Sequence, residues 1–405
     1  MPKNKSTVLD VVSATLDKVS KVSVPQRKFI FHIFELWISM NCRYVFTNME
    51  RWGAMAEKTY RNWFAKSFDW FDFNRKLILQ CANKEIIAVF DPSYIKKSGK
   101  HTYGTGYFWS GVRQCACRGL EIGCLAFVDV QNGTALHVLA KQTPSSTDLK
   151  EKGKTLTDHY RSIISEKLPD ILAITKYLAV DGYFMKKDFI LPLVEKGLHI
   201  ITKARGDANL NYIFKGKQSS GRGRRKLYDG KIDTANIDKR RIPKVYEDDK
   251  VTIFGAVVYC IQLKRKVFAA FLYYDGKQTP EIIIGTDCEI DVMTLCKYYG
   301  LRFQIEFLIR DAKQHTGLED CMARDEEKLH NHFNISLTMV SIAKSAYHLS
   351  IPKAERGAFS MNDIKMYYMN RLITNRIFSN LEIDLSCKKI KRIYNECLNF
   401  GRLRA

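Results

Sequence analysis

The 405-residue sequence has no run of about 18 apolar residues, so no segment is expected to cross a membrane as a helix. Its opening, MPKNKSTVLDVVSATLDKVSKV, lacks the apolar core of a secretory leader, and a cytoplasmic, nucleoid-associated protein is expected. No lipidation motif or basic amphipathic helix points to a membrane surface. Cys-x-x-Cys is absent: the 11 cysteines are scattered, with Cys115 and Cys117 the closest. That excludes a recognisable disulfide framework or zinc ribbon and fits free thiols in a reducing compartment. His-Glu-x-x-His is absent too, so any metal is expected on carboxylates. There is no internal repeat, no long low-complexity linker and no RNA-recognition motif.

Acidic residues are the scarce charge. Forty-three Asp and Glu face 65 Lys and Arg, a net charge of +22. An excess of this size calls for a polyanionic partner, most simply nucleic acid. The hydrophobic content of 46% and aromatic content of 12% describe a folded chain, long enough for two or three domains.

Residues 1–80 read as mostly helical. Within them FTNMERWGAMAEKTYRNWFAK (46–66) suggests two short helices, with Asn48 a candidate cap and Lys58 and Arg61 on the second. The pattern resembles a DNA-binding helix-turn-helix, and an ordinary small helical bundle fits it equally. From residue 85 the period changes. EIIAVF is a short, continuously apolar strand that ends on Asp91. LEIGCLAFVDV and TALHVLAKQ are predicted strands joined by Gln131-Asn132-Gly133, a hairpin signal. A helix over 155–168, a buried-type strand ITKYLAV ending on Asp181, a helix containing Pro192 and a strand LHIITKA follow. This order predicts a mixed α/β sheet with helices on its faces, over residues 81–204 and 290–320. Residues 205–289 interrupt it. They hold the basic stretch KGKQSSGRGRRK (215–226), with Arg222, Arg224 and Arg225, and then runs that read as a small antiparallel sheet. Residues 321–405 carry only helical patterns.

Two carboxylates therefore stand at the exits of two apolar strands, where ligands bind in α/β sheets. A third comes from YYGLRFQIEFLIRDAK (298–313), read as one helix over about 291–313. At about 100° per residue, Arg302, Glu306, Arg310 and Lys313 fall within roughly 60° of Tyr299, opposite Leu301, Ile305, Leu308 and Ala312. A solvated face with i,i+4 ion pairs would read the same way taken alone. If that helix lies over the strand exits, Glu306 joins Asp91 and Asp181. Three carboxylates amid basic residues can hold two divalent ions, Mg²⁺ being the natural oxygen-seeking choice with Mn²⁺ as substitute. Such a pair of ions serves phosphodiester chemistry.

The spacing Tyr299-x2-Arg302-x3-Glu306-x6-Lys313 resembles the Tyr-Arg-Glu-Lys signature of bacterial DDE insertion-sequence transposases of family four. Asp181-Gly182-Tyr183-Phe184 and the stretch that begins at Asp91 are similar to that family's two aspartate regions, although many members place one residue between the second Asp and Gly. The resemblance covers about residues 85–320. It implies a ribonuclease-H-like catalytic domain split by a β-rich insertion, flanked by an N-terminal helical DNA-binding region and C-terminal helices suited to dimerisation. It implies cut-and-paste transposition by metal-dependent phosphodiester hydrolysis and strand transfer. Asp91, Asp181 and Glu306 would be the catalytic, metal-holding residues, and Tyr299, Arg302, Arg310 and Lys313 would meet DNA. The partners would be double-stranded DNA, as terminal inverted repeats and target, and a second protomer. Trp109, Tyr273 and Tyr274 are the candidates for stacking on a displaced base. A ribonuclease-H-like nuclease without strand transfer, and a domesticated DNA-binding protein without catalysis, are the alternatives.

Overall fold

Side-chain caps set many of the helix starts. In the N-terminal region Thr7 and Asp10 form a reciprocal capping box that opens α1 (Val8–Leu16). Ser23 caps α2 (Val24–Ser39), with Pro25 in the first turn, where a missing N–H costs nothing. The helices α3 (Phe46–Trp52), α4 (Glu57–Phe64) and α5 (Trp70–Cys81) complete the region. Asn48 does not cap α3: Val45 occupies that position, and the Asn48 amide donates to Arg43 O at 2.9 Å. The computed structural model describes residues 7–218, 224–277 and 279–403.

The sheet begins with β1 (Ile86–Ile95), β2 (Gly106–Ser110), the 15-residue β3 (Cys115–Asp129) and β4 (Thr134–Gln142). The helices α6 (Ser146–Glu151), α7 (Leu156–Ser165) and α8 (Leu168–Leu172) lead to β5 (Tyr177–Val180). Then come α9 (Lys187–Val194), which contains Pro192, and β6 (His199–Lys203). Strands β1, β5 and β6 run parallel, while β3 is antiparallel to β1 and β4 to β3. Residues 86–90 are all buried although successive side chains point to opposite faces, so both faces of β1 are covered. This is the mixed α/β sheet with flanking helices that a ribonuclease-H-like domain requires.

The strands from residue 210 onward are β7 (Leu210–Ile213), β8 (Tyr228–Lys231), β9 (Lys244–Glu247), β10 (Val251–Cys260), β11 (Arg265–Tyr274) and β12 (Glu281–Gly285). They are antiparallel to one another, as expected, but they do not form a sheet of their own. Strand β12 pairs with β6, so one sheet runs β3-β1-β5-β6-β12-β11-β10-β7-β8.

Residues 291–313 are not one helix either. They form α10 (Val292–Leu301) and α11 (Gln304–His315). Between them Arg302 N bonds Tyr299 O, Phe303 N bonds Gly300 O, Ile305 N bonds Arg302 O and Glu306 N bonds Phe303 O. This i to i−3 pattern is a 3₁₀ tightening that advances about 120° per residue rather than about 100°. The side chains after it are therefore rotated from the single-helix projection.

Of the last helices, α12 (Glu326–Ser350), α13 (Met361–Asn380) and α14 (Lys388–Leu398), the first belongs to the core. Every residue from Asn331 to Ala346 is buried. Helix α12 packs on β4, α11 and the N-terminal helices α1, α2, α4 and α5. Its polar residues are matched one by one. Asn334 Oδ1 accepts from Ala140 N at 2.9 Å and contacts His137 Nε2 at 3.0 Å, while Nδ2 donates to Ala140 O at 3.0 Å. No helix among the described residues is long and apolar enough to cross a membrane.

Candidate active site

The register of β1 against β5 sets the site. Phe90 stands opposite Val180, so Asp91 and Asp181 leave neighbouring parallel strands at the same level. Asp91 is partly buried and lies in a strand that continues to Ile95. Asp181 opens a short 3₁₀ turn, Gly182–Phe184, and its carbonyl accepts from Thr202 Oγ1 at 2.9 Å. Gly182 lets that turn lie against β6: a Cβ there would stand 3.3 Å from Lys203 O.

Helix α11 packs on β1, β3 and β4 and carries Glu306. The Lys313 ammonium donates to Tyr94 O at 2.6 Å and pairs with Glu319 at 3.3 Å, which pins the helix to the continuation of β1 beyond Asp91. Burial pushes the Asp91 carboxyl up to about 7; the Arg302 guanidinium opposes this, and Glu306, Asp181 and Glu121 reinforce it. Asp91 thus lies within electrostatic reach of both other predicted carboxylates.

They are not gathered as a ligand set. Among the described residues no three His, Cys, Asp or Glu side chains form a group that could hold a metal ion. Glu306 is instead paired with Arg302 at 3.2 Å. Arg302 is only 6% exposed, its guanidinium lies 5.8 Å from the Tyr299 ring, and its Nε has no hydrogen-bond partner among the described residues. Tyr299 is buried, and burial raises its hydroxyl to about 12 despite the nearby Arg302. The donor chemistry, three hard carboxylate groups with one already desolvated, suits a divalent oxygen-seeking cation once Glu306 leaves Arg302.

The remaining predicted residues are dispersed. Arg310 is exposed on α11. It pairs with Asp311 at 3.2 Å and lines a separate cavity of about 380 Å³ with Lys344, Lys353 and Arg356. Lys58 and Arg61 are exposed on α4, where Arg61 pairs with Glu57 and lies 4.9 Å over Phe46. Arg224 and Arg225 are exposed between β7 and β8, and Arg222 lies outside the described residues. Of the aromatic candidates, Trp109 is exposed on β2, while the Tyr273 hydroxyl is tied to Thr234 O at 2.6 Å.

Two features were not anticipated from the sequence. Glu121, buried on β3 and hydrogen-bonded by the Tyr160 hydroxyl, places a fourth carboxylate within charge range of Asp91. Its signal was a lone acid near the start of the apolar run LEIGCLAFVDV. Phe303 and Phe307 are exposed on either side of Glu306, at 50% and 42%.

A family model for the transposase DDE domain matches residues 83–342, a range that contains Asp91, Asp181 and Glu306. The chain belongs to this transposase DDE-domain family. No curated protein matches it. Membership makes DNA the substrate class and a divalent metal the general requirement of the chemistry. The match begins just before β1 and ends within α12, so it spans the sheet, the strands of residues 210–285 and the buried helix.

Proposed function

We propose that this chain is the transposase of a bacterial insertion sequence and moves it by cut-and-paste, with Asp91, Asp181 and Glu306 as the catalytic carboxylates. The observation that carries this reading is the level exit of Asp91 and Asp181 from adjacent parallel strands, with Glu306 on a helix packed across β1. When bound to these carboxylates, divalent cations (Mg²⁺, with Mn²⁺ as substitute, and two in number) would supply charge stabilisation at the phosphoryl oxygens.

The chain's own residues position the DNA. Lys313, held beside β1, and Arg302, once free of Glu306, offer a point charge and a planar fork to phosphates near the cleaved end. Tyr299 supports Arg302 from below. Exposed Lys58 and Arg61, with the basic stretch that includes Arg222, Arg224 and Arg225, extend the cationic surface to the terminal repeats. Hydrolysis at the element end forms a bond from water oxygen to phosphorus and releases a 3′-hydroxyl. In strand transfer that hydroxyl attacks a target phosphodiester and displaces a second 3′-hydroxyl. Both are in-line phosphoryl transfers, so positioning and charge complementarity account for most of the acceleration. Cutting two ends together calls for a homodimer on DNA.

The test is incubation of the protein with Mg²⁺ and duplex DNA from the gene's own flanks, resolved on a denaturing gel. Wild type should cut at the repeat ends, and Glu306→Gln should bind those ends without cutting. Normal cleavage by Glu306→Gln would sink the assignment. Cutting with no joined product would favour the nuclease reading, and binding without cutting a domesticated DNA-binding protein.

A further inference from the structure

Strand β3 is longer than the sheet that β1 needs. Its second part, from Leu120 to Asp129, pairs with β1, and its first part, Cys115–Gly119, pairs with β2 as a two-stranded ribbon. The ribbon continues past Ile95, in the direction in which β1 leaves Asp91. Its two faces differ. Phe108, Ser110 and Cys117 are buried. Tyr107, Trp109, Ala116 and Arg118 share the other face and are exposed, Tyr107 at 74% and Trp109 at 59%. Tyr107 stands opposite Arg118, and Trp109 opposite Ala116. At the tip, Val112 is 98% exposed and Arg113 is also exposed.

Exposed aromatic side chains alternating on one strand have no packing role in this chain. Their charge setting says what covers them. Residues 94–119 contain Lys96, Lys97, Lys100, Arg113 and Arg118 and no Asp or Glu. A face of two rings and an arginine within an acid-free segment suits a polyanion that also presents flat apolar edges.

We propose that the β2–β3 ribbon lies in the major groove of the duplex beside the cleavage site, with Tyr107, Trp109 and Arg118 against the base edges. This rests on the transposase reading above. The major groove is about 12 Å wide and admits a two-stranded ribbon; arginine pairs with guanine there, and apolar side chains meet thymine methyls. The register sets the reach. Asp91 is opposite Cys124, whereas Tyr107 is opposite Arg118 and Trp109 opposite Ala116. At about 3.4 Å per residue these contacts lie roughly 20–27 Å along β3 from the carboxylates. At about 3.4 Å per base step that is roughly 6–8 base pairs from the scissile phosphate.

Of the five tryptophans, Trp37 and Trp70 are buried and Trp52 and Trp63 partly so, which leaves Trp109 as the exposed reporter. The experiment titrates the full-length protein with an element-end duplex and follows tryptophan emission beside a mobility-shift assay. Dimethyl sulfate protection is then mapped for wild type, Trp109→Phe and the Trp109→Ser/Arg118→Ser double variant. Binding should quench wild-type emission, and Trp109→Phe should lose that quench. Guanine N7 protection roughly 6–8 base pairs from the cut should vanish in the double variant, with affinity about tenfold weaker and circular dichroism unchanged. A duplex that binds wild type without altering Trp109 emission overturns the proposal and leaves the transposase reading intact. So does N7 protection that persists in the double variant, or protection confined to adenine N3 in the minor groove. A wild-type protein that binds no duplex at all overturns both.

Discussion

Arg302→Gln should tighten divalent-cation binding while it weakens DNA cleavage. Glu306 is held by Arg302 at 3.2 Å, so cation binding has to break that ion pair first. At that separation two unit charges attract by about 1 kcal/mol in bulk water and about 5 kcal/mol at an effective dielectric constant of about 20. The Arg302 side chain is 7% exposed but that of Glu306 is 42% exposed, so water screens the pair from one side. With that screening and the side-chain entropy, the net strength is about 1 kcal/mol, the upper end for a half-exposed pair. Removing it should improve cation affinity about fivefold, since about 1.4 kcal/mol corresponds to tenfold. The assay is isothermal titration calorimetry with Mn²⁺ on DNA-free protein, beside thermal unfolding to establish that the fold is kept. The same variant should cut element ends more slowly, because the planar fork is gone. Equal or weaker Mn²⁺ binding by a folded Arg302→Gln protein would refute the clamp.

Lys313→Ala should leave end binding largely intact and slow cleavage about ten- to a hundredfold, the loss of one charge-assisted contact of about 1.5–3 kcal/mol; unchanged single-turnover cleavage would count against its phosphate role. Asn334→Leu removes bonds to Ala140 N, Ala140 O, His330 O and His137 and should cost about 4 kcal/mol of stability at about 1 kcal/mol each, read by urea unfolding. Lys344 is buried on α12, and burial lowers its ammonium to about 8, with Asp311 opposing and Arg310 adding to the shift. Unfolded chains keep that proton up to the ordinary lysine value of 10.5, so over pH 8 to 10.5 the unfolded state binds more protons and this lysine's contribution to stability rises with pH. Below pH 8 the full cost of about 3 kcal/mol is present, and Lys344→Met should be the more stable protein at pH 7 by about 2 kcal/mol after losing the bond to Ala135 O. Parallel unfolding midpoints for both proteins at pH 7 and pH 9.5 would contradict this.

The features set by local pattern were legible before the fold was known. EIIAVF and ITKYLAV read as buried strands, and their parallel pairing puts Asp91 and Asp181 side by side, although β1 does not end at Asp91 but runs on, paired with β3, to Ile95. The Gln131-Asn132-Gly133 turn joins β3 and β4, with Gly133 at φ 59° as such a turn requires. The long-range and the geometrically subtle were not legible. A projection at one fixed angle per residue cannot register the 3₁₀ step at Arg302 and Phe303, which shifts Tyr299 in angle relative to all the residues of α11, nor the burial of Arg302. The pairing of β12 with β6 joins residues about 80 positions apart and carries no local signature. Helix α12 read as one more C-terminal helix because its buried face is rich in Asn, Ser, Thr and Lys; each of these is acceptable inside only through a partner far along the chain.

That last arrangement bears on how the chain reaches its native state. Among the described residues strand β4 has no strand beyond it, and the Asn334 amide takes both the N–H and the C=O of Ala140, as a neighbouring strand would. The two residues are 194 positions apart. At a synthesis rate of about 5–20 residues per second, the β4 edge stays open for roughly 10–40 s after it emerges. An open, apolar edge is a template for pairing with another chain. Any nascent chain released between Gln142 and Asn334 keeps that template, so truncated products should aggregate rather than accumulate as soluble DNA-binding fragments.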